Sequence, residues 1–509
     1  MQQKLVRLIQ IQCVLLLSGL LGVPLVVAAD YDMVILGGRV MDPETGLDAQ
    51  RNVGVRDGQI VTITESDIAG RKTIDASGQV VTAGFIDTHF HGTGTMAYKL
   101  GLRDGLTSVM DLEFGALGNQ VADWYGDRKG VTQLNYGIAA SHELARSMVL
   151  DGAVARDASQ IASSRGAGMG WAETVPTPEQ SRQIFGSLDA GLKAGAIGIG
   201  STLGYMPGVS AREMFEVQRL AAAYGRQTAV HLRHTPGTET TEVNGAQEIL
   251  ANAAALDAPA MINHFNNPGW ELVHELLANM RDQGHNVWGE IYPYAAGSTT
   301  INAVFLRPES WVEKLGKRYE ETMLDPATNT FYTRERYEQT LAAAPATVVV
   351  LYKMPAETVP LWLSLPGVTM ASDGMPIPGD WAWDADYASL PNMHPRGAGS
   401  RGKSLRLSRE QSIPLMQVLA QMSYNSARYL GDMGLEAMQR RGRMQPGMVA
   451  DIVVFDPQQV TDNATYEKGS LPTTGISAVL VNGVLTVSND SVLEDARAGQ
   501  PLQFSPRPN

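Results

Sequence analysis

The sequence predicts a (β/α)8 barrel that carries a small β domain assembled from both ends of the chain. Three observations lead there. Both ends hold β-rich runs punctuated by turn residues, the middle alternates strand-like and helix-like segments, and polar residues, histidines above all, stand where predicted strands stop. The chain has 509 residues, too many for one small core. A hydrophobic content of 44% with 18% charged residues fits a globular chain and excludes a disordered or fibrous one. The formal net charge is −13, and no basic block or basic–aromatic interleaving occurs, so nucleic acid is not an expected partner.

Residues 1–29 read as a secretory signal peptide. Lys4 and Arg7 precede an apolar run from Cys13 to Val27, and Val27-Ala28-Ala29 offers small residues for cleavage before Asp30. The expectation is export, with the periplasm as destination. Cys13, the only cysteine, falls in this segment, so the mature chain would have neither a disulfide nor a thiolate ligand. No later apolar run has the length to span a bilayer, so no stable membrane insertion is expected after signal removal. Residues 30–83 form the N-terminal part of the β domain: Tyr31–Leu36 ends at Gly37-Gly38, and Val53-Gly54-Val55 turns at Asp57-Gly58 into Gln59–Ile63. Residues 441–509 supply the rest, with Asp451–Phe455 and with Ala478–Val481 meeting the hairpin signal Asn482-Gly483. Residues 84–440 are the barrel. Its strand-like segments are Gly195–Gly200, Thr228–His231, Ala260–His264, Asn286–Glu290, Val348–Leu351 and Val368–Ala371, with helices expected over Ala211–Tyr224 and Trp270–Gly284. Within it, 303–345 is long and holds Trp311, Tyr319, Phe331 and Tyr332, as an inserted lid or a surface subdomain would.

The stretch Gly84-Phe85-Ile86-Asp87-Thr88-His89-Phe90-His91 carries the chemistry. Side chains of a strand alternate, so His89 and His91 face one way and can share a metal ion, with Asp87 placed to orient an imidazole. Glu113, His231, His264 and Asp373 each close another predicted strand. In a barrel, such ends converge on one mouth, and four imidazoles with two carboxylates can hold one or two divalent metals. Asp111 shares a face with Glu113 and competes with it for a place in the set. His142 follows another strand-like segment and is either a substrate contact or a satisfied core histidine.

With these residues in place, the chain resembles the amidohydrolase superfamily, and within it the D-aminoacylase (N-acyl-D-amino-acid deacylase) branch. The resemblance covers nearly all of residues 30–509 and rests on Gly442–Asp451, Tyr205-Met206-Pro207-Gly208, His231-Leu232-Arg233, Tyr292-Pro293-Tyr294, Ala371-Ser372-Asp373-Gly374 and His394-Pro395-Arg396. It implies a metal-dependent hydrolase barrel with a β-sandwich domain from both termini, holding one or two Zn2+ ions. His89, His91 and Asp373 would hold the more buried ion, His231 and His264 the second, and Glu113 would bridge them where D-aminoacylases place a cysteine. The implied reaction is attack of a metal-bound hydroxide on an amide carbonyl, with Asp373 as general acid and base. The family grips the substrate carboxylate with residues that correspond to Tyr205, Asn266, Ser298 and Arg396; here Asn266 replaces a lysine. Arg396 has the fork for a carboxylate, and Arg233, two residues beyond His231, adds a second cation. The expected substrate is a small N-acyl amino acid, D configuration included. The alternatives are a dipeptidase or cyclic-amide hydrolase of the same superfamily and, from another class, a scaffold that keeps the barrel without its chemistry.

Overall fold

The structure, a computed structural model, describes residues 30–237 and 241–507. The signal segment expected over 1–29 lies outside the described residues. Eight parallel strands follow one another round a barrel: Phe85–Asp87, Leu106–Ala116, Asn135–Ser141, Gly198–Ser201, Gln227–Val230, Ala260–Ile262, Val287–Ile291 and Thr369–Met370. The eighth returns to the first, where Phe90 bridges Gly374 and the Asp373 amide donates to the His89 carbonyl at 2.8 Å. Every residue of these strands is buried, as expected when helices cover the outside and side chains fill the inside of a parallel sheet. The helices have the apolar spacing and caps their sequences offer. Ala211–Ala223 starts at Ser210, whose hydroxyl accepts from the Glu213 amide, and it buries Met214, Val217 and Ala221 against the sheet.

The two ends of the chain meet in one nine-stranded sheet folded about its own core. Val80–Ala83 pairs with Ile452–Phe455, so residues nearly the whole chain apart lie side by side. Asn482 and Gly483 both adopt positive φ, 49° and 79°, and join Ile476–Val481 to Val484–Ser488, the two-residue turn the dipeptide predicts.

One strand differs from expectation. Val348–Tyr352 is not a barrel strand. It pairs antiparallel with Ala296–Thr300 and Met323–Asp325 in a four-stranded sheet inserted between the seventh and eighth barrel strands. An apolar β-branched run reads alike in either sheet, and only pairing separates the two. The insertion thus begins at residue 296 and ends near 352, outside the 303–345 stretch on both sides. Among the described residues no helix is long and apolar enough to cross a membrane.

Candidate metal centre

The second barrel strand is unusually long for a reason visible in its pairing. Asp111 lies opposite Ile138 and Ala116 opposite Ala140, so five steps on this strand span two on its neighbour. The excess pushes Leu112–Gly115 into the barrel mouth as a bulge and delivers Glu113 to its centre. Asp111 stays behind: its Oδ1 accepts from the Phe114 and Gly115 amides at 3.0 and 3.1 Å, and its Oδ2 accepts from His91 Nδ1 at 2.9 Å. Glu113 therefore occupies the shared position, and Asp111 orients an imidazole.

Glu113 faces two groups. On one side its Oε2 lies 3.0 Å from His89 Nε2 and 3.4 Å from His91 Nε2. Asp373 Oδ1 lies 3.5 Å from each of those nitrogens. On the other side Glu113 Oε1 lies 3.1 Å from both His231 Nδ1 and His264 Nε2. Two triads, buried apart from a partly exposed His231, thus share one carboxylate, with the donor atoms of each within 4.8 Å of one another. Tetrahedral zinc ligands sit about 3.3 Å apart, and the donors already stand at that scale.

The tautomers support a cation there. His89 Nδ1 is bonded to the Glu290 carboxylate and His91 Nδ1 to Asp111, so neutral rings turn bare Nε2 lone pairs toward each other. Those atoms are 2.9 Å apart, a repulsive arrangement unless a cation or a proton lies between them. Burial acts to lower both imidazoles, yet the surrounding carboxylates outweigh it and hold His89 and His91 well above the usual histidine value. Burial likewise opposes ionisation of Glu113 and Asp373, but His89 on the first and Arg396 on the second hold both well below the carboxylate norm. His231 goes the other way: burial and the neighbouring His264 push it down to about 4, so it is neutral, as a ligand must be. The donor chemistry fits a divalent metal.

Two backbone conformations aim the ligands. His264 and Asp373 have φ of 28° and 52°, in a region non-glycine residues rarely visit and that concentrates at functional sites. Asp87 orients main chain and not an imidazole. Its Oδ1 accepts from the His89 and Ser372 amides, both at 3.1 Å, and its Oδ2 pairs with Arg401 at 2.8 Å. Glu290, which the sequence reading passed over, holds His89 instead and is itself fixed by Asn263 at 2.7 Å and Thr88 at 3.1 Å.

A cavity of about 210 Å³ opens over the centre. Tyr205, Arg233, Ser298 and Arg396 line it. Tyr205 Oη is bonded to Thr299 Oγ1 at 2.8 Å, and Arg233 is paired with Glu248 at 2.9 Å. Arg396 gives Nη1 to Asp373 Oδ2 at 2.8 Å and Nη2 to the Ser298 carbonyl at 3.1 Å. Ser298 Oγ is buried without a partner among the described residues. Two candidates fall outside the cavity. His142 is buried between Ser201 Oγ at 3.0 Å and Glu213 Oε1 at 3.1 Å, in a network closed by Arg146, so it is the satisfied core histidine. Asn266 turns away and donates to the Tyr292 and Tyr294 carbonyls, which leaves its side chain no reach into the cavity. The inserted sheet and its helical turns add Phe305, Trp311, Leu351 and Lys353 to the lining, none of them picked out by sequence as site residues.

No family model matches the chain. It is 29% identical over 89% of its length to the N-acyl-D-glutamate deacylase of Alcaligenes xylosoxydans xylosoxydans, covering 93% of that protein. It is 26% identical over 93% of its length to the D-aminoacylase of the same organism, covering 97% of it. The crystal structure of an N-acyl-D-glutamate deacylase from Bordetella bronchiseptica, solved with zinc and a phosphonate mimic of the tetrahedral intermediate, superposes with a TM-score of 0.73 at 25% identity, over 93% of this chain and 100% of that one. A parallel barrel whose strand ends converge on two carboxylate-linked histidine groups defines a metal-dependent hydrolase of the amidohydrolase type. Within that type, the chain is similar over nearly its whole length to enzymes of the D-aminoacylase branch.

Proposed function

We propose that the chain is an exported, zinc-dependent deacylase of N-acyl amino acids, of D configuration, that carry a free carboxylate. The observation that carries this reading is the pair of triads sharing Glu113, with Asp373 at their edge and a cavity above them. The relatives named above supply the substrate class and the configuration. The signal-like segment before Asp30 motivates export.

His89, His91 and Asp373 would hold one ion, and His231 and His264 another, with Glu113 common to both. A divalent ion in such a site supplies Lewis acidity and makes a bound water acidic enough to ionise near neutral pH. The chain's own residues do the rest. Asp373 presents Oδ1 toward the histidines while Arg396 grips Oδ2, so one oxygen is fixed and the other faces the reacting centre. Oδ1, which would touch both the ion and the attacking water, would take the water's proton and hand it to the leaving amide nitrogen. Phe305 and Trp311 on the cavity wall keep bulk water from the reacting amide and receive an apolar acyl group or side chain.

The test is free-amine release by the purified protein from paired N-acetyl-D and N-acetyl-L amino acids, with dipeptides alongside. Release from the D series, lost on chelation and restored by zinc, is the expected result. Cleavage confined to dipeptides, or none after zinc addition, would overturn the reading.

A further inference from the structure

The cavity is rich in cations, but most are already engaged. Arg396 is bonded to Asp373, Arg233 to Glu248, and Arg165 to Glu143 at 2.7 Å. Lys353 differs. It follows the inserted strand Val348–Tyr352, and its ammonium reaches across to Asn267 Oδ1 at 2.7 Å, a neutral partner. No carboxylate lies within ion-pair distance of it among the described residues; burial together with the nearby Arg396 pushes it down to about 7, against the pull of the Asp373 and Glu113 carboxylates. A partly buried ammonium with no direct ion pair is costly to keep charged, and an anion entering the cavity would offset that cost.

Its surroundings are built to admit one. Gly297 lies on the paired strand, and a Cβ there would sit 3.0 Å from Lys353 Cε and 3.1 Å from Tyr292 Oη, so the missing side chain leaves the ammonium its place. Ser298, the next residue, turns an unpartnered buried hydroxyl into the same cavity. Asn266 faces backbone carbonyls, while Lys353 arrives from a different element and docks on Asn267, one residue along.

We propose that Lys353 brings a cation from the inserted sheet to the seat of the substrate's free carboxylate, beside Ser298 Oγ, which makes the inserted sheet a specificity element of this enzyme. This rests on the deacylase reading above for the identity of the anion. Arg396, held by Asp373, is then a positioning residue for that carboxylate.

The test is calorimetric binding to the zinc-loaded protein of an uncleavable analogue, the ketone in which a methylene replaces the amide nitrogen of N-acetyl-D-leucine, together with its carboxamide. Lys353→Met, which keeps the bulk and removes the buried charge, should weaken the acid about tenfold or more and leave the amide within about twofold, while Lys353→Arg recovers most of the loss. Equal weakening of acid and amide, no weakening of either, or a wild type that binds the acid no tighter than the amide would overturn the proposal. Failure of the deacylase reading is visible separately, as a wild type that binds the acid selectively but never cleaves N-acetyl-D-leucine.

Discussion

Glu290 lies at the heart of the site although it belongs to neither group of side chains placed to hold a metal. It closes the seventh barrel strand, buried, with one oxygen on His89 and Asn263 and the other on Thr88. A carboxylate on the far nitrogen fixes a ligand's tautomer and rotation, and losing such a partner costs about 10- to 100-fold in metal affinity. Glu290→Gln should therefore release zinc to a competing chelator about tenfold more readily, with an unchanged circular dichroism spectrum. Unchanged chelator competition would refute the role. Asp373→Asn separates proton transfer from the rest of the site. The amide keeps the shape but cannot shuttle the proton, so kcat should fall by about 10²–10⁴, more than any accompanying loss of zinc measured on the same sample. The six candidate ligands could be picked from sequence because each stands at or near the carboxyl end of a strand, and such ends converge in a barrel. Glu290 closes a strand as well, in Val287–Ile291, and that was the signal available for it. Asp87 was read as an orienter because it lies beside His89 in sequence, yet its carboxylate serves amides and Arg401. Adjacency in the chain is a weaker guide than shared position at the barrel mouth.

Among the elements, the bulged second strand decides whether the centre forms. Gly200 of the fourth strand lies against it: a Cβ there would meet the Glu113 carbonyl oxygen at 2.2 Å and the Leu112 carbonyl oxygen at 2.7 Å. These are backbone atoms of the segment that carries the bridging carboxylate, so no side chain can swing away to make room. Gly200→Ala should cost about 2–3 kcal/mol in urea unfolding, as overpacking of a tight interior does, and lower the zinc content together with it. A stable variant with full zinc would mean the bulge tolerates displacement. The contrasting case is Gly297, whose added methyl would meet the flexible end of Lys353 and not backbone. Periodicity located the helices Ala211–Ala223 and Trp270–Asp282 to within two residues of their ends. It could not say that Val348–Tyr352 pairs with Ala296–Thr300, because Val-Val-Val-Leu satisfies a parallel or an antiparallel neighbour equally. The sheet that places Lys353 over the centre was thus hidden from sequence at the level of pairing, although every residue in it was in plain view.

At the scale of the whole molecule, the two faces of the barrel divide the work. The metal centre occupies the carboxyl ends of the strands, and a C-terminal strap closes the other face. The Gln500 carbonyl accepts from the Tyr136 amide at 3.1 Å, the Leu502 amide donates to Tyr136 at 2.7 Å, and the Phe504 amide donates to Gly195 at 3.1 Å. Leu502 is fully buried beside Ile86, Met110 and Ile197, and its carbonyl takes the Tyr125 hydroxyl at 2.9 Å. Nothing in the sequence marked this segment. It is short, interrupted by Pro501 and Pro506, and has no periodicity, and by sequence it falls with the rest of 441–509 in the β domain. Metal and strap should therefore stabilise the protein independently. An ion that binds only the folded chain adds about 4 kcal/mol at a thousandfold excess over its dissociation constant, so chelation should lower Tm by several degrees. Removing residues 499–509 should also lower Tm, since burying one leucine is worth about 1.5–3 kcal/mol before the hydrogen bonds are counted. The two losses should add, because sites on opposite faces share no partners. At 25 °C the truncated protein should keep its kcat/KM and its zinc, for the strap touches the amino-terminal ends of the strands, where residues of a barrel serve stability and not chemistry. A truncated chain that melts normally but loses zinc would show instead that the tail supports the metal centre through the barrel wall, most directly along the third strand, whose far end leads to Ser141 and the buried network around His142.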